Sequence, residues 1–213
     1  LNLAEAGLKP RIIERGKDVK RRGRDVSRLY SKGNLDVESN VCFGEGGAGT
    51  YSDGKLYTRV NDPRFRRLLE AFVHHGAKPD ILINNRPHIG TDRLIKLLIA
   101  IRQHLEDLGA TFHFDTRVDD FIVQDGKIKG IQTDSGDRIE SEHVFVATGH
   151  SAHQVWRDLE RHGAQLECRP FSLGFRVEHP QELINQIRYG REAQNDLLPA
   201  ADYKLVHNQK QGD

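Results

Sequence analysis

The sequence is organised around one glycine-rich segment, Gly44-Glu45-Gly46-Gly47-Ala48-Gly49-Thr50-Tyr51-Ser52-Asp53-Gly54-Lys55. Its first eleven residues include five glycines, and glycine is entropically costly in a helix or strand, so we expect a loop. Backbone N–H groups in such a loop can come close to a ligand, commonly a phosphate. No Gly-Lys-Ser/Thr closes the loop as in a P-loop, and no strand precedes it as in a dinucleotide-binding turn. Glycine density alone leaves two interpretations open, a ligand-binding loop and a mobile surface loop.

The composition predicts a soluble and rather polar protein. The chain has 213 residues, 37% hydrophobic and 30% charged, enough for one large domain or two small ones. No apolar run reaches membrane-spanning length and no signal peptide opens the sequence, so we expect a cytoplasmic protein without membrane contact. Lys and Arg number 32 against 31 for Asp and Glu, so net charge gives nucleic-acid binding no support. Two distant cysteines, Cys42 and Cys168, fit reduced thiols rather than a redox pair.

The ends of the sequence suggest a piece of a longer protein. There is no methionine, and residues 1–7 have the pattern of the last turns of a helix that Gly7 ends. A polar tail, residues 204–213, follows without a recognisable end to the last element. We therefore expect the complete protein to extend beyond this sequence.

A short buried strand is predicted over residues 10–16, and it stops at the acidic Glu14. In a nucleotide-binding βαβ unit, the second strand ends in an Asp or Glu that accepts hydrogen bonds from ribose hydroxyls. Glu14 has that position if a first strand and its glycine loop precede Leu1. The alternative is that Glu14 is simply the solvated end of a strand.

The segment from Lys9 to Arg28 carries nine basic and three acidic residues. Such a run can face phosphates or nucleic acid. It lacks the interleaved aromatic residues that a platform for single-stranded nucleic acid needs. A solvated connector is therefore the favoured interpretation, and nucleic-acid binding is not expected.

Periodicity and turn residues predict an α/β succession of elements along the rest of the chain. Helices are predicted from Asp62 to Gly76, Asp92 to Leu108 (with Thr91 as its cap), Ser151 to His162 and Glu182 to Ile187. Strands are predicted at Ile81–Ile83, Thr111–Phe114, Phe121–Val123, Ile128–Ile131, Arg138–Glu140, His143–Gly149 and Ser172–Val177. Asp-Gly and Ser-Gly turns join the three strands between residues 121 and 140 into an antiparallel meander.

The histidines do not indicate a metal centre. His74 and His75 are adjacent on a predicted helix and point apart, so we expect surface histidines and no metal. His150 and His153 could act as acid or base groups, but a structural role at the start of a helix is the alternative. No catalytic residue is assigned.

Together these features resemble the flavoproteins whose FAD domain is built like that of glutathione reductase. Ile12-Ile13-Glu14-Arg15 is similar to their second strand with its ribose-binding acid. The loop from Gly46 to Lys55 is similar to the glycine-rich segment that lies against the cofactor. Thr116-Arg117-Val118 resembles the entry to the meander, where the backbone at the valine position commonly contacts adenine. Val146-Ala147-Thr148-Gly149 resembles the Ala-Thr-Gly motif that ends the strand after the meander.

Longer strings are similar to a narrower family, the uncharacterised bacterial FAD-dependent dehydrogenases known as NAD(FAD)-utilising. The strings are residues 46–56, 147–152 and 170–180. This resemblance implies an FAD-dependent oxidoreductase of unknown small-molecule substrate, with FAD as cofactor and NAD(P)H as a candidate electron donor. The residues it places at the cofactor are Glu14, Arg15, Gly46, Gly47, Ala48, Gly49, Thr50, Ser52, Asp53, Gly54, Lys55, Val118, Thr148 and Gly149. Lys55 and Arg59 are candidate positive partners for phosphate or reduced flavin, or else solvated bases.

The resemblance also implies an architecture. Residues 1–152 would form an incomplete, three-layer Rossmann-like FAD-binding domain with a helical insertion over about residues 61–90. Residues 153–213 would be part of a second, α+β domain. The Gly-x-Gly-x-x-Gly loop that follows the first strand of such a domain is absent, as is the C-terminal return to the FAD domain. We therefore expect the complete protein to bind FAD, and whether this part alone does so is left open.

Two other functions stay open from the sequence. The first is a flavoprotein that acts on RNA, supported only by the basic run before residue 28. The second is a truncated, non-catalytic remnant, supported by the missing glycine loop. The sequence does not predict an oligomeric state.

Overall fold

The computed structural model describes residues 1–52, 54–56, 62–84, 87–168, 174, 177–203, 205 and 207. The chain forms two compact units, residues 1–166 and residues 167–213. The boundary predicted after residue 152 stays a prediction.

The first unit contains five helices and five strands within the described residues. They are α1 (Asn2–Glu5), β1 (Arg11–Ile13), α2 (Val19–Lys32), α3 (Arg64–His74), α4 (Thr91–Asp107), β2 (Thr111–His113), β3 (Val118–Gln124), β4 (Lys127–Thr133), β5 (Arg138–Glu140) and α5 (His153–Arg161). Short 3₁₀ turns lie at Gly47–Gly49 and Pro79–Leu82. The second unit contains α6 (Gln181–Tyr189) and a 3₁₀ turn at Gly190–Glu192. This mixture of helices and small sheets confirms the α/β class.

The first sheet is a parallel pair, β1 and β2, in which Ile12 lies opposite Phe112. Parallel neighbours need a long crossover, and here the chain from α2 to α4 supplies it. One hydrophobic cluster includes buried Ala4, Leu105 and Ala110, with Ile12 and Phe112 packed against them. Helices α1 and α4 therefore cover this sheet and fix the point at which β1 ends, next to Glu14.

The second sheet is the predicted antiparallel meander, in the order β3-β4-β5. Phe121 and Ile131 lie opposite each other and are buried. Gly130 has a φ of 152°, and any side chain there would overlap the carbonyl of Ile139 on β5, so only glycine allows this close strand pairing. Helix α5 packs on β3. The meander prediction is confirmed.

The predicted connector after Lys9 is wrong, because residues 19–32 form helix α2. The Asp18 side chain caps it by accepting hydrogen bonds from the N–H groups of Lys20 and Arg21. Gly33 ends it in the left-handed conformation with a φ of 70°. The charge pattern concealed this helix, since the apolar residues that bury it are few: Val19 and Val26 are buried, together with Arg22 and Asp25.

Two predicted strands are also wrong, and a third lies outside the described residues. Residues 79–82 form a 3₁₀ turn because Pro79 begins a tight turn rather than an extended segment. Residues 143–149 have no regular secondary structure, and Phe145 is 79% exposed. A strand needs hydrogen-bonded neighbours, and neither described sheet provides one for this segment. The strand predicted at 172–177 falls largely on undescribed residues.

Candidate functional site

Glu14 follows β1 directly and organises the start of the site. Its Oε1 accepts hydrogen bonds from the backbone N–H of Gly16, at 2.8 Å, and of Gly44, at 2.9 Å. The two glycine backbones lie so close that a methyl group on Gly16 would be 2.6 Å from the Cα of Gly44. Within the described residues, no hydrogen bond to Glu14 Oε2 is present. One carboxylate oxygen thus holds the glycine-rich loop against β1, and the other is available to a ligand.

The buried side chain of Arg22 holds the glycine-rich loop in place. Its side chain is fully buried, and its Nε donates to the carbonyl of Asn40 at 2.8 Å. Nη1 donates to the carbonyls of Glu45, at 2.7 Å, and Gly44, at 3.2 Å. A side chain on Gly44 would overlap Arg22 Cδ, so glycine is needed there. The guanidinium thus holds the start of the loop through the carbonyls of Gly44 and Glu45, and the segment before the loop through that of Asn40.

The environment of Arg22 is electrostatically unusual. Burial lowers the pKa of Arg22, and a guanidinium is so strong a base that it keeps its charge at neutral pH. Its Nη2 is buried and has no hydrogen-bond partner in the part of the chain that the structure describes. Its Cζ lies 5.2 Å from the centre of the Tyr51 ring, and burial raises the pKa of Tyr51. A fixed positive charge therefore lies directly beneath the glycine-rich loop.

Glu45 connects the loop to two helices. Its Oε2 accepts a hydrogen bond from the N–H of Val19, the first residue of α2, at 2.7 Å. Its Oε1 accepts from Arg102 Nε on α4 at 2.8 Å, and the side chain is only 7% exposed. With the Asp18 cap, Glu45 satisfies the N-terminus of α2, so that helix end is not free for an external anion.

The glycines of the loop fall into two groups. A side chain on Gly46, whose φ is 81°, would overlap Thr50 Oγ1 and Leu98 Cδ1, so the packing of the protein itself requires glycine. Gly49 has no positive φ, and no atom lies within 4 Å of where its Cβ would be. Nothing in the described packing requires glycine at position 49.

The end of the loop is bound to the start of α4. Ser52 Oγ donates to the Gly49 carbonyl at 2.7 Å and accepts from the N–H of Gly54 at 3.0 Å. Thr91, predicted as the cap of α4, is instead its first residue, and its hydroxyl donates to the carbonyl of Ser52 at 2.6 Å. Lys55 forms a β-bridge with His88. Asp53 and Arg59 lie outside the described residues.

The structure links Arg15 and the segment before Val118 to each other next to Glu14. Glu38 joins them, because it accepts from Arg15 Nε at 2.6 Å and from Arg117 Nη1 at 2.8 Å. The N–H of Thr116 donates to the carbonyl of Glu14 at 3.1 Å. Val118 itself begins β3, two residues after this contact.

Thr148 and Gly149 are not brought to this site within the described residues. Both are exposed, in the segment that forms no strand, and no hydrogen bond between this segment and the loop is present there. Their assignment to the cofactor site stays a prediction. His150 and His153 contact each other edge to face, with ring centres 5.9 Å apart.

Three residues that hold the loop were not predicted from the sequence: Arg22, Glu45 and Arg102. Arg22 lies within a run of exposed basic residues, and no local pattern separates a buried arginine from solvated ones. The role of Glu45 could have been suspected, because it is an acidic residue inside a glycine-rich stretch. Among the described residues, no group of three His, Cys, Asp or Glu side chains could hold a metal ion, and no helix could span a membrane.

One comparison with known families bears on the class of this protein. A family described as "FAD-dependent protein, C-terminal domain-like" matches residues 170–213, which include α6 and the 3₁₀ turn after it. This match supports an FAD-dependent family and, with it, a flavoprotein.

The chain is also similar to a particular protein. It is 39% identical, over 207 residues, to an uncharacterized protein of Clostridium beijerinckii. The aligned part covers 97% of this chain and 39% of that relative. The chain thus spans about two fifths of the relative's length.

Proposed function

We propose that this chain forms part of an FAD-dependent oxidoreductase, and that Glu14 and the loop from Gly44 to Thr50 bind the adenosine and diphosphate part of FAD. One observation carries the proposal. Glu14 ends β1 with one oxygen bound to Gly16 and Gly44, while its second oxygen has no partner among the described residues. A carboxylate at the end of such a strand is suited to accept hydrogen bonds from ribose hydroxyls.

The residues present fit an anionic dinucleotide. Glu14 Oε2 would accept from the ribose, and Gly49 leaves room for close approach of a phosphate to the backbone. The buried charge of Arg22 stabilises negative charge near the loop, although its side chain is enclosed and acts through the field rather than by contact. When bound, FAD supplies the redox chemistry of its isoalloxazine ring.

The protein's own residues supply position and electrostatics in this proposal. Arg22 and Glu45 fix the loop backbone before any ligand arrives, so little conformational entropy is lost on binding. Ser52 and Thr91 hold the far end of the loop to α4. Thr148, Gly149 and Lys55 are proposed to contact the cofactor as well, as the family resemblance implies.

The test is an FAD titration of the protein and of its Glu14→Gln variant, in which binding is measured by the quenching of flavin fluorescence. The Gln carbonyl can still accept from Gly16 and Gly44, so the loop stays in place, but its amide group cannot accept from a ribose hydroxyl. A hydrogen bond to a charged group contributes about 1.5–3 kcal/mol, so we expect binding to weaken by about tenfold or more.

Glu5→Gln, an exposed change on α1, is the matched control and should bind FAD like the parent. Adenosine diphosphate should compete in the parent and lose affinity in Glu14→Gln by a similar factor. Equal FAD affinity in the parent and in Glu14→Gln would contradict the proposed role of Glu14. Addition of NADH or NADPH to the flavin-loaded protein without oxygen then tests whether a nicotinamide is the electron donor.

A further inference from the structure

One face of α2 carries a row of cations with no use in the proposed cofactor site. Lys20, Arg24, Arg28 and Lys32 follow each other at intervals of four residues, so they lie along one side of the helix over about 18 Å. All four are exposed, and within the described residues none of them forms an ion pair. With Gly23, Ser27 and Ser31 they line a shallow hollow. We call these four residues the basic face of α2.

The opposite side of the helix is firmly anchored. Arg22 is buried against the glycine-rich loop, and Asp25 is buried and paired with Lys17 at 2.8 Å. Lys17 also pairs with Asp36 at 3.0 Å. The carboxylates of Asp25 and Asp36 are therefore paired with a cation that lies off the basic face, so they do not neutralise its charge.

The four cations of the basic face lower the stability of α2 itself. Like charges four residues apart repel each other along a helix. Lys20 also lies in the first turn, where the helix dipole disfavours a cation. The neighbouring Arg21 is neutralised by Asp18 and Asp115, which shows that pairing is available at this position of the helix. A row of cations at regular spacing on one helix, unpaired within the described residues, is suited to bind a partner that carries several negative charges.

The surroundings of the basic face favour a protein over a nucleic acid. Leu35 is 58% exposed and shares a second hollow with Arg28, at the C-terminal end of α2, together with Asn34 and the Lys17-paired carboxylates of Asp25 and Asp36. Protein interfaces combine exposed apolar residues with arginine, whereas single-stranded nucleic acid is bound by stacking on aromatic rings. No aromatic side chain lines the hollow along the basic face, and Tyr30, although exposed on α2, is not part of it.

We propose that the basic face of α2 is a docking surface for an acidic protein segment, whose carboxylates pair with Lys20, Arg24, Arg28 and Lys32. Arg24 and Arg28 lie at the centre of the row and can each bind a carboxylate with two parallel hydrogen bonds. The proposal does not depend on the cofactor, since α2 keeps this face whether or not a ligand is bound to the loop.

The test uses fluorescently labelled poly-L-glutamate as the probe and measures its anisotropy with the purified protein. We expect binding at about 50 mM NaCl that is lost at about 0.5 M NaCl, because salt screens exposed charges. The Arg24→Gln/Arg28→Gln variant should weaken binding by about tenfold. Arg67→Gln/Arg93→Gln, which removes two exposed arginines from α3 and α4, is the matched control and should bind like the parent.

Three outcomes would overturn the proposal. Absence of poly-L-glutamate binding at low salt would do so, as would equal weakening in the two double variants. Poly-U could also bind more tightly than poly-L-glutamate and lose affinity in the Arg24→Gln/Arg28→Gln variant. That result would identify a nucleic-acid-binding surface instead. Circular dichroism of both variants establishes that they are folded, and the exposure of all four changed residues makes unfolding unexpected.

Discussion

Arg22 allows the sharpest prediction about how the site is built. Replacing it with alanine removes the hydrogen bonds to the carbonyls of Asn40, Gly44 and Glu45. A buried acceptor that loses its partner costs about 1–3 kcal/mol, and the lost side chain leaves a cavity besides. Removal of a buried charge without a carboxylate in contact recovers part of this cost. We expect Arg22→Ala to lower the free energy of unfolding by about 3–5 kcal/mol.

The assay is urea denaturation followed by circular dichroism, with each variant measured at one pH and salt concentration. Domains are typically stable by about 5–15 kcal/mol, so Arg22→Ala could leave little folded protein. Arg22→Lys is therefore measured beside it, and we expect about half the loss because an ammonium can reach some of the same carbonyls. Arg67→Ala, exposed on α3, is the control and should change the free energy by less than about 0.5 kcal/mol.

The result that would refute this reasoning is a loss below about 1 kcal/mol for Arg22→Ala. The three carbonyls would then find other partners, such as water, at little cost. Arg22 would not be the residue that fixes the glycine-rich loop, and the preorganised site would need another support.

Three further predictions concern the helix cap and the loop glycines. Burial alone would raise the pKa of Asp18, but hydrogen bonds from the Arg21 side chain and the N–H groups of Arg21 and Lys20 lower it overall. The folded-state pKa is thus below the unfolded one, so the contribution of Asp18 to stability is present above about pH 4 and is lost as the pH falls further. The urea midpoint should accordingly fall less steeply with acid in Asp18→Asn than in the parent, and parallel profiles would contradict the role of Asp18. Gly46→Ala should destabilise the protein by about 2 kcal/mol or more, because its methyl group would overlap Thr50 and Leu98 at a positive φ. Gly49→Ala should leave the urea midpoint unchanged and weaken FAD binding, and unimpaired FAD binding would exclude close approach of the cofactor at this residue.

Local patterns predicted the elements that are built from local interactions. The turns at Asp125-Gly126 and Ser135-Gly136 sufficed for the meander, because its strands are neighbours in sequence. Helix α4 was predicted from leucines at intervals of three and four, although its cap was not: Thr91 reaches across to Ser52, a contact 39 residues away.

Other elements depend on partners that a sequence window does not contain. Helix α2 is buried through Arg22 and Asp25, two charged residues whose partners lie at Glu45 and Lys17. An amphipathic pattern that counts charged residues as exposed assigns this segment to solvent. The segment from 143 to 149 has a strand-like composition, yet a strand requires a neighbour, and neither described sheet supplies one.

The candidate site also combines features that a local pattern reveals with contacts between residues far apart in sequence. Glycine density and the acid at the end of β1 indicated the loop and Glu14, which the structure joins through Gly44. The residues that hold the loop rigid, Glu45 and Arg102, act over 26 and 57 residues of sequence separation. Only the folded chain brings those charges together.

The measurement that tests the central proposal most directly is the visible absorbance spectrum of the purified protein. It should be recorded with added FAD, beside a longer chain extended at both ends toward the length of the Clostridium relative. We predict a flavin spectrum in the longer chain, reduced in its Glu14→Gln variant. Absence of flavin in both chains, even after FAD is added, would contradict the proposal that Glu14 and the glycine-rich loop belong to an FAD site.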